Sequence, residues 1–205
     1  LDFDGTDDKI VLPDIDGSIT DGFTVSAWIN PVDASASYQG IAGTNTSGGF
    51  MTFVNNGQLS FAVSTSSGRE HFHKGTIVSN QWQHIACTYD GSYMKWYING
   101  SLVATEAHSG TVEGKSAANI GYSGYGSEYF DGGIDDVRIY DDALNASEIA
   151  VIYNSTNPPV ASDAEAHWML DETSGTSAAD VSSNGYDGTL SGGLSFSNDS
   201  VDGEL

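Results

Sequence analysis

Hydrophobic and polar residues alternate with a period of two over much of this chain. In the segment FTVSAWIN, the apolar residues Phe23, Val25, Ala27 and Ile29 stand at every second position. The segments QLSFAVS and WQHIACTYD alternate in the same way. Because a period of two places alternate side chains on the same face of a strand, these segments are predicted to be β-strands with one face on a core.

Two dipeptides ending in glycine mark the turns of an antiparallel meander. Asp90-Gly91 and Asn99-Gly100 flank the segment SYMKWYI, and both dipeptides favour tight turns. The strands before, between and after them are therefore expected to pair in sequence order. The sequence also has 25 glycines and almost no helical periodicity. The predicted fold is all-β, a sandwich or jelly roll of two antiparallel sheets.

One short helix is predicted in the segment NASEIAVIY. Asn145 is suited to the N-cap, and Glu148 follows at the spacing of a capping box. Ile149, Ile152 and Tyr153 then lie on one face of the helix. We expect this helix to cover one end of the sandwich.

The chain is predicted to form a single domain over residues 1–205. Residues 1–153 form the main body, and the tandem prolines and small polar residues of 154–165 indicate a linker. Residues 166–205 are terminal strands that complete the sandwich, because a piece of about 40 residues does not stabilise a core alone. They either dock on the same chain or exchange with a second molecule. Docking on the same chain, and so a monomer, is favoured because the extended linker reaches about 40 Å.

The charge of the chain restricts its partners. There are 28 Asp and Glu against 6 Lys and Arg, a formal net charge of -22. Such a chain repels phosphate backbones and anionic lipid, which argues against nucleic acid and membrane surfaces. No apolar segment approaches the ~18 residues of a membrane span, so direct membrane insertion is not expected. This acidity suits a saline, cation-rich extracellular or cell-surface setting.

Several stretches together resemble the laminin G-like, concanavalin A-like jelly-roll superfamily, in particular its bacterial branch. The matching pieces are LDFDGTDDKI, FTVSAWINP, QWQHIACTYDGSYMKWYING and FDGGIDDVRIYDDALNASEI, with a Trp-x-Leu-Asp-Glu strand and an Asp-x-Ser-x-Asn-Gly loop. In the family that strand and loop come before the FDG strand, whereas here they follow the predicted helix. The chain therefore resembles a circularly permuted member. The resemblance implies a concanavalin A-like jelly-roll sandwich with one short helix and a lectin-like role.

The loop DVSSNGYDG is the main candidate for a metal site. Oxygen-bearing side chains stand at every second position before a glycine, at Asp180, Ser182 and Asn184. This spacing lets successive side chains surround Ca²⁺, which takes six to eight oxygen ligands. The carbonyl group of Tyr186 is a further predicted ligand. The resemblance supports calcium, because members of the family often hold a structural calcium ion between such elements.

A second carboxylate is needed at this site, since only one of the three side chains is charged. Asp135 is the predicted remote ligand, on the expectation that it shares the face of Val137 and Ile139. The alternative is that Asp180 and Asn184 form Asx-turns and Asp135 caps a neighbouring backbone amide. A second oxygen-rich stretch, DFDGTDD, contains Asp2, Asp4, Asp7 and Asp8.

Sugar binding is the activity that the resemblance implies. Lectin-type sites stack aromatic rings on sugars while polar groups hold the hydroxyls. The candidate ligand-binding residues are Tyr122, Tyr125 and Tyr129 of GYSGYGSEYF, together with Tyr38 and His71. The alternative for each of them is packing at the rim of the sandwich. Trp28, Trp82 and Trp168 match core positions of the family and are expected in the core.

The sequence gives no support for an enzyme. The Glu-x-Asp-x-x-Glu signature of sandwich glycosidases is absent, and no nucleophile stands in a recognisable triad. The predicted function is a non-catalytic, calcium-stabilised carbohydrate-binding module of a large secreted or surface adhesin, with a glycan or polysaccharide as its partner. The alternatives are a structural spacer repeat of an adhesin stalk and an accessory carbohydrate-binding domain of a polysaccharide hydrolase.

Overall fold

The alternating segments of the sequence form antiparallel strands. The structure is a computed structural model and describes residues 1–15, 19, 22–44, 48–113, 118–124, 126–155 and 164–196. Its elements are β1 (Asp2–Asp4), β2 (Lys9–Val11), β3 (Phe23–Pro31), β4 (Gln39–Thr44), β5 (Phe50–Asn55), β6 (Gln58–Thr65), β7 (Gly68–Lys74), β8 (Gln83–Tyr89), β9 (Tyr93–Ile98), β10 (Ser101–Ala107), β11 (Ala118–Ile120), β12 (Asp131–Tyr140), α1 (Ala146–Asn154), β13 (Ala166–Trp168), β14 (Ser177–Ala178) and β15 (Gly188–Ser191).

The strands form two antiparallel sheets. Sheet A has the order β1-β12-β3-β8-β9-β10, with β13 also paired to β12, and sheet B has the order β14-β15-β2-β11-β4-β5-β6-β7. The main core lies between them, and its rings come from both sheets. Phe61 of sheet B packs edge-on against Phe23 and Trp96 of sheet A, with ring centroids 5.8 Å apart in both pairs. The predicted jelly-roll sandwich of two antiparallel sheets is confirmed.

The predicted meander is confirmed by the geometry of its turns. Asn99 and Gly100 both have positive φ, 48° and 72°, as a tight hairpin turn requires. At the preceding turn, the Asp90 carboxylate accepts a hydrogen bond from the backbone N–H of Tyr93 at 2.7 Å. Strands β8, β9 and β10 consequently pair in sequence order.

Helix α1 begins with the predicted capping box. The Asn145 side chain accepts from the backbone of Glu148 at 3.2 Å, and the Glu148 carboxylate accepts from the Asn145 N–H at 2.7 Å. Ile149 and Ile152 pack with Ala86 in a second cluster, on the face of sheet A that is turned away from the main core. The expectation that the helix covers one end of the sandwich is therefore wrong, because it covers a sheet face. Within the described residues, no helix has the length and hydrophobicity that a membrane crossing requires.

The C-terminal strands pair with both sheets of the same chain. In sheet A, Trp168 lies opposite Val137, and in sheet B, Leu190 lies opposite Ile10. Trp168 belongs to the main core, and its indole N–H donates a hydrogen bond to the carbonyl oxygen of Tyr186 at 2.9 Å. Most of the predicted linker, residues 156–163, lies outside the described residues.

Candidate functional site

An apolar floor lies on the outward face of sheet B. Met51, Phe53 and Ala62 form a buried cluster separate from the main core. They come from β5 and β6, whose alternate residues, such as Val54 and Phe61, face the main core. Since successive side chains of a strand point to opposite faces, the three residues face away from the interior of the sandwich. Apolar residues on an outward sheet face point to a covered or ligand-binding surface.

Polar and aromatic side chains surround this floor and complete a groove of about 410 Å³. We call it the Tyr38 groove, and its lining residues are Tyr38, Met51, Phe53, Ala62, Arg69, His71 and Glu128. His71 lies opposite Ala62, and Ala62 lies opposite Met51, so one row of the groove crosses three strands. An apolar floor with a few converging polar groups is the usual composition of a small-ligand site.

Tyr38 is the exposed aromatic residue of the groove. Its ring stacks on that of Phe53, with the centroids 5.7 Å apart and the planes at 23°. The backbone of Tyr38 has φ 57°, in the left-handed region that bulky residues seldom adopt. Such strain persists only where the surroundings hold it in place, and it is concentrated at functional sites. Tyr38 thus presents one ring face to solvent from a backbone conformation that costs free energy.

The groove's carboxylate is held by the loop that precedes β12. The carbonyl oxygen of Glu128 accepts from the N–H groups of Gly40 at 3.3 Å and Ser123 at 3.2 Å. The Ser123 hydroxyl donates to the Glu128 carboxylate. A Cβ on Gly40 would lie 2.2 Å from the nitrogen of Ser123, so glycine is required for this close approach. The position of Glu128 therefore depends on contacts with β4.

Two histidines of β7 lie along the same side of sheet B. The rings of His71 and His73 are 5.4 Å apart, and Nδ1 of His73 is 2.5 Å from the Ser60 hydroxyl. Burial lowers the pKa of His73, and the proximity of His71 lowers it further. His73 is consequently neutral at pH 7.

The structure brings together only part of the predicted ligand-binding set. Tyr38 and His71 both line the groove. Tyr122 and Tyr129 instead stack on each other with centroids 4.4 Å apart, and Lys9 lies over the Tyr122 ring. Tyr125 lies outside the described residues.

The floor of the groove was not anticipated from the sequence. A signal for it exists in β5, whose sequence FMTFVN does not alternate cleanly between apolar and polar residues. Apolar residues at neighbouring strand positions mean that both faces carry apolar side chains, which a half-exposed strand does not need. The contribution of Glu128 has no comparable signal, because it depends on where a loop folds.

The predicted calcium loop is held by hydrogen bonds within the protein. The Asp180 carboxylate accepts from the backbone N–H groups of His167 (2.9 Å), Ser182 (2.9 Å) and Tyr186 (2.8 Å), and from the Ser182 hydroxyl (2.7 Å). These bonds lower the pKa of Asp180 despite its partial burial. Asn184 donates its side-chain N–H to the carbonyl oxygen of Glu165 at 2.9 Å.

The hydrogen bonds of Asp180 form an Asx-turn, which is the alternative to a calcium site at this loop. Four donors occupy the roughly four lone-pair positions of the Asp180 carboxylate, so as placed the loop residues do not fit a calcium ion. The Tyr186 carbonyl oxygen also has a donor, the Trp168 indole. The calcium site at Asp180, Ser182, Asn184 and Tyr186 remains a prediction.

The expectation that Asp135 shares the face of Val137 and Ile139 is wrong. A bulge interrupts the pairing of β12 with β3 between Asp135 and Arg138, and Asp136 at the bulge has φ 49°. The extra residue reverses the alternation, as bulges do. Val137 and Ile139 face the main core, whereas Asp135 pairs with Trp28 on the outer face of sheet A.

The three tryptophans expected in the core have three different environments. Trp168 is fully buried in the main core, as predicted. Trp28 is buried on the outer face of sheet A, where it stacks on Tyr153 of α1 at 5.7 Å. Trp82 is only half-buried and belongs to no core cluster, so its prediction is wrong. It lies against Gly133 because a glycine leaves room there for the indole.

Solved structures with the same fold come from several sources. A candidate carbohydrate-binding protein from Bacteroides ovatus matches 97% of this chain with a TM-score of 0.74 and 20% identity, and 63% of its own chain is covered. Domain 4 of an extracellular arabinanase from Geobacillus stearothermophilus, solved with arabinotriose, matches 71% of this chain and 72% of its own, with a TM-score of 0.56 and 24% identity. A pentraxin from Limulus polyphemus matches 76% of this chain and 85% of its own, with a TM-score of 0.53 and 20% identity.

Sequence comparison adds a relative and a family. The adhesion G-protein coupled receptor V1 of Danio rerio is 24% identical over an alignment of 147 residues that covers 64% of this chain. This chain spans 2% of the receptor and 63% of the Bacteroides ovatus protein. The family model described as the concanavalin A-like lectin/glucanases superfamily matches residues 4–150. That match covers more than half of the sequence, and the chain belongs to the concanavalin A-like lectin/glucanases superfamily.

Proposed function

We propose that this protein is a non-catalytic carbohydrate-binding module and that the Tyr38 groove is its glycan site. The observation that carries the proposal is the stack of Tyr38 on Phe53 above an apolar floor. A sugar ring has apolar faces that pack on aromatic rings and a rim of hydroxyl groups that require polar partners. The exposed face of Tyr38 supplies the first kind of contact.

The rim of the groove supplies the second kind of contact. Arg69 and His71 offer N–H donors, and the Glu128 carboxylate offers acceptors. Neutral glycans need both, because each sugar hydroxyl both donates and accepts hydrogen bonds. The groove is open rather than enclosed, which suits one stretch of a longer chain. A glycan or polysaccharide is therefore the proposed partner.

The groove lacks the chemistry of a glycosidase. Such enzymes use two carboxylates that flank the scissile bond. Glu128 is the single carboxylate among the described residues that line the groove. Binding without cleavage is the function that this lining supports.

Known proteins of the same fold support this proposal. The arabinanase domain was solved with arabinotriose, and the Bacteroides ovatus protein is a candidate for carbohydrate binding. We propose an extracellular or cell-surface setting for this module, in an adhesin or beside a polysaccharide hydrolase.

Glycan-array binding of the whole chain, followed by calorimetry on any hit, tests the proposal. Tyr38→Ala should abolish array binding while the chain remains folded. Tyr93→Ala is the matched control, because Tyr93 is 48% exposed against 42% for Tyr38 and lies on sheet A. Silence of the wild-type chain on a broad array would favour the structural spacer, and equal loss in both variants would exclude the groove as the site.

A further inference from the structure

The turn between β1 and β2 gathers three carboxylates. Asp4 ends β1, and Asp7 and Asp8 precede β2. The Asp4 carboxylate accepts from the backbone N–H groups of Thr6 at 2.8 Å and Asp7 at 3.4 Å, which folds the turn back on itself. One carboxylate oxygen from each of Asp4, Asp7 and Asp8 lies within 4.8 Å of the other two.

Asp8 differs from the other two carboxylates because it is buried. Asp8 is only 6% exposed, whereas Asp4 and Asp7 are exposed. Its Oδ2 accepts from the backbone N–H of Asp4 at 3.1 Å. Its Oδ1 is shielded from solvent and accepts no well-aligned hydrogen bond among the described residues, although the backbone N–H of Leu194 interacts with the carboxylate. A buried carboxylate oxygen is unfavourable unless a donor or a cation balances it.

The pKa of Asp8 also shows that its negative charge is unfavourable in this turn. Burial raises the pKa of Asp8, and the charges of Asp4 and Asp7 raise it further, whereas the backbone N–H groups of Asp4 and Leu194 lower it. A divalent cation among the three carboxylates would relieve both the burial and the mutual repulsion.

The C-terminal segment closes over this turn. A Cβ on Gly192 would lie 2.3 Å from the carbonyl oxygen of Asp7, and one on Gly193 would lie 3.9 Å from Oδ1 of Asp8. Both glycines have positive φ, 94° and 122°, so a side chain would be strained at either position. Strand β15, which precedes them, pairs with β2. The N-terminal turn and the end of the C-terminal hairpin thus meet at Asp8.

We propose that Asp4, Asp7 and Asp8 form a Ca²⁺ site that ties the Gly192-Gly193 turn to the N-terminal strands. Three carboxylate ligands favour a hard cation over zinc, which prefers nitrogen and sulfur. Calcium accepts irregular shells of six to eight oxygens, and the exposure of Asp4 and Asp7 leaves room for water to complete the shell. Magnesium demands a stricter octahedron and binds less well here. The site is separate from the Asp180 loop and independent of glycan binding.

Thermal melting and calorimetry of the chelator-stripped whole chain test this site. Millimolar calcium should raise the melting temperature by several degrees, and magnesium should raise it less. Asp8→Asn keeps the shape of the side chain and removes its charge. In this variant the Kd for calcium should rise at least about tenfold. In chelator, Asp8→Asn should melt no lower than the wild type, because the uncompensated charge is gone.

The melting temperature of Asp8→Asn in chelator separates a cation site from an aspartate with a purely structural role. Loss of a structural aspartate would lower the melting temperature both with and without calcium. Asp141→Asn, at an exposed turn, is the matched control and should keep the full calcium response. If Asp8→Asn does not fold, Asp7→Asn serves in its place and should reduce the calcium shift. The proposal is overturned if calcium gives the wild type neither heat nor a melting shift. It is also overturned if the full shift survives in Asp8→Asn or Asp7→Asn, and loss of the shift in Asp180→Asn would then place the calcium site in the Asp180 loop.

Discussion

Arg138 and Asp136 form a two-point ion pair at the bulge of β12. Nε of Arg138 donates to Oδ1 of Asp136 at 3.0 Å, and Nη2 donates to Oδ2 at 2.8 Å. His167 of β13 joins them, with its Nε2 2.7 Å from Oδ1 of Asp136. Arg138 is 1% exposed, so its charge depends on this partner. The bulge that turned Asp135 away from the core thus places Asp136 where it links β12 to the C-terminal strand.

Asp136→Asn should destabilise the fold strongly. The substitution keeps the side-chain shape and tolerates the left-handed backbone, but it removes the charge that pairs with the buried Arg138. Breaking one partner of a buried pair costs about 3–5 kcal/mol. Urea unfolding at pH 7 measures the loss. Arg138→Met should cost less, because it removes the buried charge and keeps much of the volume; the reverse order would contradict this account.

The stability of the fold should fall as the pH drops below the ordinary pKa of histidine. Burial lowers the pKa of His84 from 6.5 to about 4; Arg138 adds to the shift and Asp136 opposes it. Between these values the unfolded chain binds a proton that the folded chain does not, so the free energy of unfolding decreases by up to about 1.4 kcal/mol per pH unit. The contribution is complete above pH 6.5 and lost near pH 4.

His84→Phe isolates this contribution to the pH dependence. Neither ring nitrogen of His84 has a hydrogen-bond partner among the described residues, and the ring packs edge-on against Trp28 at 5.5 Å, a contact that phenylalanine can keep. Denaturant unfolding at several pH values from 7 to 4 should give a shallower slope for the variant. Identical slopes for the two proteins would show that His84 titrates normally.

Asp180→Asn should destabilise the fold to the same degree with calcium and with chelator. The carboxylate accepts four hydrogen bonds, which a neutral amide cannot all accept. Because the folded pKa of Asp180 is lowered, its contribution is present above the pKa of the unfolded chain and disappears as the pH falls through the folded pKa. Melting curves of Asp180→Asn with calcium and with chelator test this expectation. A calcium site in the loop would instead give a lower melting temperature for the variant only when calcium is present.

Glu128→Gln should weaken glycan binding about tenfold without a large change in stability, since a hydrogen bond to a charged group contributes about 1.5–3 kcal/mol. Calorimetry with a glycan identified on the array measures the change. Glu70→Gln is the control, because Glu70 is exposed on β7 but belongs to the face opposite to that of Arg69 and His71. Equal affinity losses would point to a general effect of charge.

The chain should remain a monomer of 21.5 kDa at all concentrations. Strands β13 and β15 pair with β12 and β2 of the same chain, so they complete the sandwich without a second molecule. Light scattering after size-exclusion chromatography gives the mass. A mass that doubles with concentration would indicate exchange of the C-terminal strands.

The residues of the Tyr38 groove differ in whether the sequence predicts them. Tyr38 and His71 were predicted because an aromatic ring and a histidine in polar segments suggest exposed binding groups. Met51 and Phe53 are not predicted as groove residues, because the sequence does not distinguish burial on the outward face of a sheet from burial in the core. Glu128 depends on the contact of its loop with Gly40, far away in the chain.

The sequence by itself determined the alternating strands, two of the turns that join them and the helix of this protein. Alternation, the Asn99-Gly100 turn and the Asn145 capping box are local, because each is set by residues a few positions apart. Only the tertiary structure decided the face of Asp135, since one bulge residue reverses the direction of every side chain after it. It also decided the burial of Asp8, because the glycines that cover this carboxylate come from the other end of the chain and are brought there by strand pairing.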